Sequence, residues 1–483
     1  MPFFLLAILL GILTYWVIRR SVANITRTPI WLLWFVMMLP VFVLVAWLLF
    51  QGDEALPMVL VYGLFILCPL VYALLIALGR LPAAQVATAT AAVEKKPIEK
   101  PITRDEETLL QRCFPWSVYY LQDIEYRAQT MICRGKLKTN PGQAYQTVTQ
   151  NIKSQFGDRF LVVFQEGFSG KPFFALIPNP QRKKAASLKR SGQSGIAIAL
   201  LVTTLLTTTL AGVFYVGGIS SSRLREQPEL IWQQGISYGV ALLVILGTHE
   251  LGHYLMARRY KIDATPPYFI PVPFFLGTFG AFIQLKAPVP HRRALFDVGI
   301  AGPLAGLVMT LPILLWGLAH STVIAMTDEA SLLNFNALDP GGSVVLALLS
   351  KLALGSAIGA NQAVDLHPVA VAGCLGLVVT ALNLMPVGQL DGGHIVHAIY
   401  GQRMGAMIGQ ISRFLVLVLA FVHSEFLLWA VLLFFIPTVD EPALNDVSEL
   451  DQGRDLLGLL ALTLLVLIVI PAPNMLMQGL FGG

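Results

Sequence analysis

The chain has 483 residues, of which 55% are hydrophobic and only 13% charged, with a mean hydropathy of +0.69. A soluble chain ordinarily carries about 25% charged residues. Half that figure, with apolar runs of about 15 to 25 residues recurring along the chain, excludes a soluble enzyme, a disordered protein and a fibrous one. The net charge of +5 is unevenly placed: Arg80 to Arg190 holds 18 Lys/Arg against nine Asp/Glu, so the remainder is acidic. No nucleic-acid motif accompanies this basic stretch, which reads as a topology signal and not as a nucleic-acid surface. Cys68, Cys113, Cys133 and Cys374 form no CxxC and no disulfide framework.

Residues 3–18, 30–50 and 58–79 read as three spans. Arg19, Arg20 and Arg27 follow the first, and Asp53 and Glu54 follow the second, which puts the 19–29 loop in the cytoplasm. Met1 to Ile18 lacks a positive n-region and reads as an uncleaved anchor, without a transit peptide before it. Leu81 to Arg104 is Pro/Ala/Thr/Glu/Lys-rich and reads as a linker. An α+β pattern follows. Ala144, Val148, Ile152 and Phe156 recur at helical spacing, and Arg159–Gln165 and Pro172–Ile177 read as strands joined by Glu166–Gly170. Arg182, Lys183, Lys184, Lys189 and Arg190 then mark a cytoplasmic membrane entry.

The second hydrophobic block gives spans at 195–217, 231–256, 297–320, 367–388 and 456–471, with 402–437 either one long span or a hairpin folded at His423-Ser424-Glu425. Six prolines between Lys261 and His291 forbid a straight helix. Within that stretch Gly277–Lys286 has strand character. Non-helical backbone at membrane depth must be buried in protein or line a cavity, so the segment reads as a hairpin dipping toward an internal site. Ser343–Gly359 reads as a short helix and not a crossing, because Lys351 lies mid-run. The expected architecture is a polytopic α-helical membrane protein with a small α+β cytoplasmic domain inserted before the core. The layout is an anchor at 1–80, linker and cytoplasmic domain at 81–190, and a membrane-embedded core at 191–483.

Two motifs carry chemistry. In Gly247-Thr248-His249-Glu250-Leu251-Gly252-His253, the histidines are four apart on an otherwise apolar helix. Both imidazoles therefore share one face and can grip one metal ion, with Glu250 beside them to take a proton from water. Ionisable groups inside a bilayer are costly and by default functional. A catalytic zinc takes three protein ligands and an open position. Asp391, on backbone unwound by Pro386, Gly388, Gly392 and Gly393, is the candidate third ligand; its alternative is a cap for the next helix. Arg258, Arg259 and Lys261 after one span, and Arg403 and Arg413 after the other, put both motifs at cytoplasmic ends, at similar depth.

His249-Glu250-x-x-His253 with Asn383-x-x-Pro386-x-x-x-Leu390-Asp391-Gly392 resembles the site-2 protease family of zinc intramembrane metalloproteases, over roughly residues 195–450. Ala301–Gly306 also resembles a family segment. Phe156-Gly157-Asp158, Gly167–Pro178, Pro266–Phe269, Gly277–Ala281 and Leu444-Asn445-Asp446-Val447 are similar to the chloroplast and cyanobacterial branch named for ethylene-dependent gravitropism deficiency and yellow-green leaves. That branch has Gly-Asn-Leu-Arg where this chain has Gly135-Lys136-Leu137-Lys138.

The resemblance implies a zinc endopeptidase that cuts membrane proteins in or beside a transmembrane segment, with the lipid bilayer as its medium. His249, His253 and Asp391 would bind zinc, Glu250 would activate water, and Asn383 would hold the substrate or oxyanion. A bacterial, cyanobacterium-like plasma or thylakoid membrane is the expected location, with the site toward the cytoplasm. Gly277–Lys286 would either pair with an unwound substrate strand or act as a plug. His291, His320 and His367 read as loop or span-end residues; His394 and His397 also read as ordinary helix residues, with support of the nearby Asp391 as the alternative. The rival readings are a tethered peptidase of the soluble type, a metal transporter and a catalytically silent binder. The acids and histidines concentrate in two motifs instead of following a path, and Glu250 is intact, so these rank below the protease.

Overall fold

The computed structural model describes residues 28–50, isolated positions among residues 1–27 and 51–101, and from residue 102 onward all but 128–129, 168–169, 180–192, 273–275, 327–336, 360–361, 423–425 and 483. The expected spans at 3–18 and 58–79, most of the Leu81–Arg104 linker, the 182–190 basic run and His423–Glu425 lie outside the described residues. The chain divides into two compact units, Met1–Glu99 and Lys100–Gly483.

In the first unit, helix α1 (Ile30–Phe50) carries no charged residue. Its buried Leu33 packs with Ile30, Trp34, Met37, Tyr72 and Leu75. The Thr28 hydroxyl donates to the Leu75 carbonyl at 2.7 Å.

The second unit opens with an α+β layer. Helix α2 (Arg104–Arg112) starts at a capping box in which Thr103 and Glu106 satisfy each other's backbone amides. Strands β1 (Tyr119–Arg127), β2 (Thr130–Leu137), β3 (Phe160–Glu166) and β4 (Pro172–Pro178) form one antiparallel sheet in the order β1-β2-β4-β3. Helix α3 (Pro141–Phe156), capped by Asn140 with proline in its first turn, buries Ala144, Val148 and Ile152. These join Tyr119, Met131, Phe164, Phe174 and Leu176 in a core of their own. The sheet's edge is covered in cis. The Phe164 amide donates to the Leu444 carbonyl (2.7 Å), and the Asp446 amide donates to the Phe164 carbonyl (2.9 Å).

The helical part comprises α4 (Gln193–Ala211), α5 (Ser237–Arg259), α6 (Arg292–Ala319), α7 (Val344–Leu354), α8 (Pro368–Leu384), α9 (Asp391–Tyr400), α10 (Gln402–Val422), α11 (Leu427–Phe435), α12 (Gln452–Val469) and α13 (Asn474–Phe481). Among the described residues, five helical stretches are long and apolar enough to cross a membrane: Ser194–Val216, Ile231–Arg259, Arg292–Ala319, Gln402–Phe421 and Gln452–Val469. The expected span at 367–388 is shorter: α8 stops at Leu384, and Met385–Leu390 is irregular. Its burial explains the tolerance of a short helix. Twelve of its 17 residues are buried, so it is walled by α5, α6 and α12 and needs no lipid-facing length. Residues 402–437 form two helices, α10 and α11, packed on each other.

The proline-rich segment forms a two-stranded hairpin, β5 (Tyr268–Pro271) and β6 (Thr278–Phe282). It is pinned at its turn. The Thr207 hydroxyl donates to the Gly277 carbonyl (2.7 Å) and the Tyr238 hydroxyl to that of Leu276 (3.0 Å). Gly277 has φ +82° and lies so close to α4 that a Cβ would meet the Thr208 Cα at 2.4 Å. A second ribbon, β7 (Thr322–Ala325) with β8 (Gln362–Asp365), joins the ends of α6 and α8; no sequence signal announced it.

Candidate metal centre

Helix α5 presents His249, Glu250 and His253, each less than a tenth exposed. The histidine Nε2 atoms are 3.2 Å apart. Asp391, the first residue of α9, places its Oδ2 at 3.4 Å from His249 Nε2 and 3.2 Å from His253 Nε2. Among the described residues this is the only group of three potential ligands converging on one point. Tetrahedral ligand atoms at zinc–nitrogen and zinc–oxygen bond lengths of about 2.0–2.1 Å must lie roughly 3.3–3.4 Å from one another. The three separations match the edges of such a tetrahedron. The tautomer matches as well. His253 Nδ1 lies 2.7 Å from the Val298 carbonyl, which only accepts, so Nδ1 carries the proton and Nε2 offers its lone pair inward.

Helix α6 makes the room. A Cβ at Gly302 would lie 2.0 Å from His253 Nε2, and one at Gly306 would lie 3.1 Å from the His249 ring. The small residues of Ala301–Gly306 therefore accommodate the imidazoles themselves.

Asn383 stands near the end of α8, with Nδ2 at 3.1 Å from His249 Nε2. The Glu250 carboxylate accepts from the Ile283 amide, directly after β6, so the hairpin reaches the acid. Asp391 opens a helix instead of sitting on unwound backbone; the unwound part is the Met385–Leu390 turn before it. That turn bends the chain sharply enough for the end of α8 and the start of α9 to face the same face of α5.

Behind Asp391 lies a polar network in which His394 and His397, noted for their closeness to Asp391, meet two acids to which the motifs assign no role. His397 is buried on α9. Its Nδ1 lies 2.7 Å from Asp440 Oδ2, and its Nε2 lies 3.0 Å from Asp446 Oδ1. His394 Nδ1 lies 2.9 Å from the same Asp440 oxygen. Carboxylates only accept, so both nitrogens of His397 must donate and the ring is an imidazolium. Burial opposes that charge, but hydrogen bonds and attraction from Asp440 and Asp446 outweigh it and hold the pKa up at about 9. Buried Arg292 donates to the carbonyls of Ala398 (2.8 Å) and His397 (3.4 Å). The available signal was Asp440 itself, an acid between Pro437 and Pro442 after an apolar helix.

His291 caps α6, accepting from the Ala294 amide, and His367 caps α8, accepting from Val369. His320 stacks on Trp316 at a helix end. None of the three approaches the metal centre's ligands.

A bundle of apolar helices that holds HExxH and a distant aspartate in tetrahedral relation defines a membrane-type zinc metalloprotease domain. Residues 237–423 match peptidase family M50, the site-2 protease class. Its relatives lie in the branch the motifs indicated. The probable zinc metalloprotease EGY2, chloroplastic, of Arabidopsis thaliana is 26% identical over 393 residues, 78% of this chain and 68% of the relative. EGY1 of the same plant, also named a probable chloroplastic zinc metalloprotease, is 37% identical over 238 residues, 49% of this chain and 42% of the relative. EGY3 of Oryza sativa subsp. indica is 27% identical over 299 residues, 57% and 47% respectively. The chain spans 66% of the length of the rice EGY2 proteins it matches and less than half of EGY1. No solved structure matches.

Proposed function

We propose that the chain is an intramembrane zinc endopeptidase that hydrolyses peptide bonds within or near transmembrane segments of other membrane proteins. The observation that carries this reading is the tetrahedral convergence of His249, His253 and Asp391 beside Glu250, inside a bundle of apolar helices. In it, His249, His253 and Asp391 hold the ion and Glu250 is the catalytic base. Zinc held there would supply Lewis acidity, polarising a carbonyl and acidifying water. Glu250 takes a proton from the attacking water as its oxygen bonds to the scissile carbonyl carbon. It then passes that proton to the leaving nitrogen as the C–N bond breaks. Asn383, whose amide points into the cluster, donates to the substrate carbonyl. The Ile283 amide orients Glu250.

A helical substrate keeps its amides in its own hydrogen bonds and must unwind before it is cut. The β5–β6 hairpin adjoining Glu250 offers extended backbone on which an unwound segment can pair. Arg258, Arg259 and Lys261 at the end of α5 favour a cytoplasm-facing site, with the 102–178 sheet on that same side. The proposed layout keeps the anchor at 1–80, linker and domain at 81–190, and protease core at 191–483.

The test is zinc per chain and cleavage of a reconstituted transmembrane substrate. Glu250→Gln should retain zinc and lose cleavage, whereas Asp391→Ala should lose zinc. Surviving cleavage in Glu250→Gln, or equal zinc in Asp391→Ala, would overturn the assignment of that residue.

A further inference from the structure

The segment Leu444–Val447 lies between two bodies and touches both. On one side its backbone pairs with Phe164 of edge strand β3. On the other, the amides of Leu444 and Asn445 donate to the carbonyls of Val289 (2.9 Å) and Pro290 (3.0 Å), just before α6. Neighbouring side chains on extended backbone point opposite ways. Val447 accordingly enters the α+β core, while Asp446 turns to His397 on α9. A displacement of the sheet is therefore a displacement of the Asp446 carboxylate.

Helix α9 depends on that carboxylate. No side chain caps its first turn, where Asp391 stands. Its hold comes from Asp440, which takes hydrogen bonds from His394 and His397, from Asp446, and from Arg292 on its last carbonyls. Arg292, His397, Asp440 and Asp446 are buried, and buried charges are strongly destabilised when one partner is removed. The network can thus occupy one arrangement well and has few intermediate ones.

We infer that Asp446, His397 and Asp440 form a positioning relay that sets the helix carrying Asp391, and that the α+β sheet acts through it on how tightly the three ligands hold their metal. The relay rests on the metal-centre reading above. None of its three residues touches the ligand atoms; all act through α9. Coupling of this kind is reciprocal, so occupancy of the metal centre must also be felt at β3.

The experiment uses the full chain in detergent micelles, with zinc affinity measured by chelator competition. Asp446→Asn and Asp440→Asn should each weaken zinc binding about 10- to 100-fold, the usual range for groups that orient metal ligands. Asp446→Glu, which restores the charge, should recover most of that loss. Equal affinity in the wild type and both Asn variants would overturn the relay and leave the metal centre standing. A wild-type chain that holds no zinc would overturn the metal-centre reading and the relay with it. Hydrogen exchange on the unsubstituted chain decides the matter should the variants fail to fold. Removing zinc should quicken exchange at the Phe164 and Asp446 amides while leaving β1 unchanged, and unaltered exchange at both amides would overturn the relay.

Discussion

At Gly302 a single methyl group would stand 2.0 Å from the nitrogen that His253 turns toward the metal centre, far inside any non-bonded contact. His253 cannot retreat without giving up its hydrogen bond to the Val298 carbonyl, which fixes its tautomer. Gly302→Ala should therefore abolish zinc binding. At Gly306 the corresponding contact is 3.1 Å from the His249 ring, which a small helix shift relieves, so Gly306→Ala should weaken zinc binding without eliminating it. Zinc content of the two purified variants checks both statements. Full zinc in Gly302→Ala would mean that α5 and α6 separate readily and that the fit between them is not tight. Glycine at these positions is thus a matter of volume next to an imidazole and not of backbone freedom, since both sit in ordinary helix.

Among the elements, the β5–β6 hairpin has the least regular support, and α4 anchors it from the side by the Thr207 hydroxyl. Thr207→Val keeps the shape and removes that hydrogen bond, a change of about 1 kcal/mol. It should leave zinc content intact and raise KM for a transmembrane substrate more than it lowers kcat, because the hairpin lies beside Glu250 and none of its residues is among the three ligands. Changed zinc content with unchanged KM would remove the hairpin from substrate handling. Elements of strong period were legible in the sequence: the long helices, α3, β3 and β4, and the hairpin's strand character between prolines. The β1–β2 pair was not, because Tyr119–Arg127 carries Gln, Asp, Glu and Arg along its length and shows no continuous apolar signal. The convergence of His249, His253 and Asp391 was legible because HExxH is local and Asp391 follows helix breakers. The contacts of Asp440 and Asp446 were not, since they reach His397 more than 40 residues away.

Across the whole second unit, the helices that build the site are tied at one end by a polar clamp. Asp297 on α6 takes two hydrogen bonds from Arg454 of α12, Nε and Nη2 each at 2.7 Å, and another from the Tyr260 hydroxyl just past α5. Helices in lipid gain little from burying apolar surface against each other, so small residues and polar ties must fix their association. This tie joins the helix bearing both histidines, the helix that makes room for them and the last long helix behind α8. The pair is partly exposed, with side chains at 29% and 16%, which discounts its strength. Arg454→Met should still cost about 1–2 kcal/mol, given two charged hydrogen bonds of bidentate geometry. Asp297→Asn should cost a similar amount, and the double variant less than the sum of the two single ones, because both changes break the same tie, while Arg454 also pairs with Asp451 and Asp297 with the Tyr260 hydroxyl. Thermal unfolding of the four proteins in one detergent, with zinc saturating, reads the cycle directly. Strictly additive losses would show that Arg454 and Asp297 act separately, and the register of the bundle would then rest on close contacts such as Gly252–Ala301 and Gly317–Ala370.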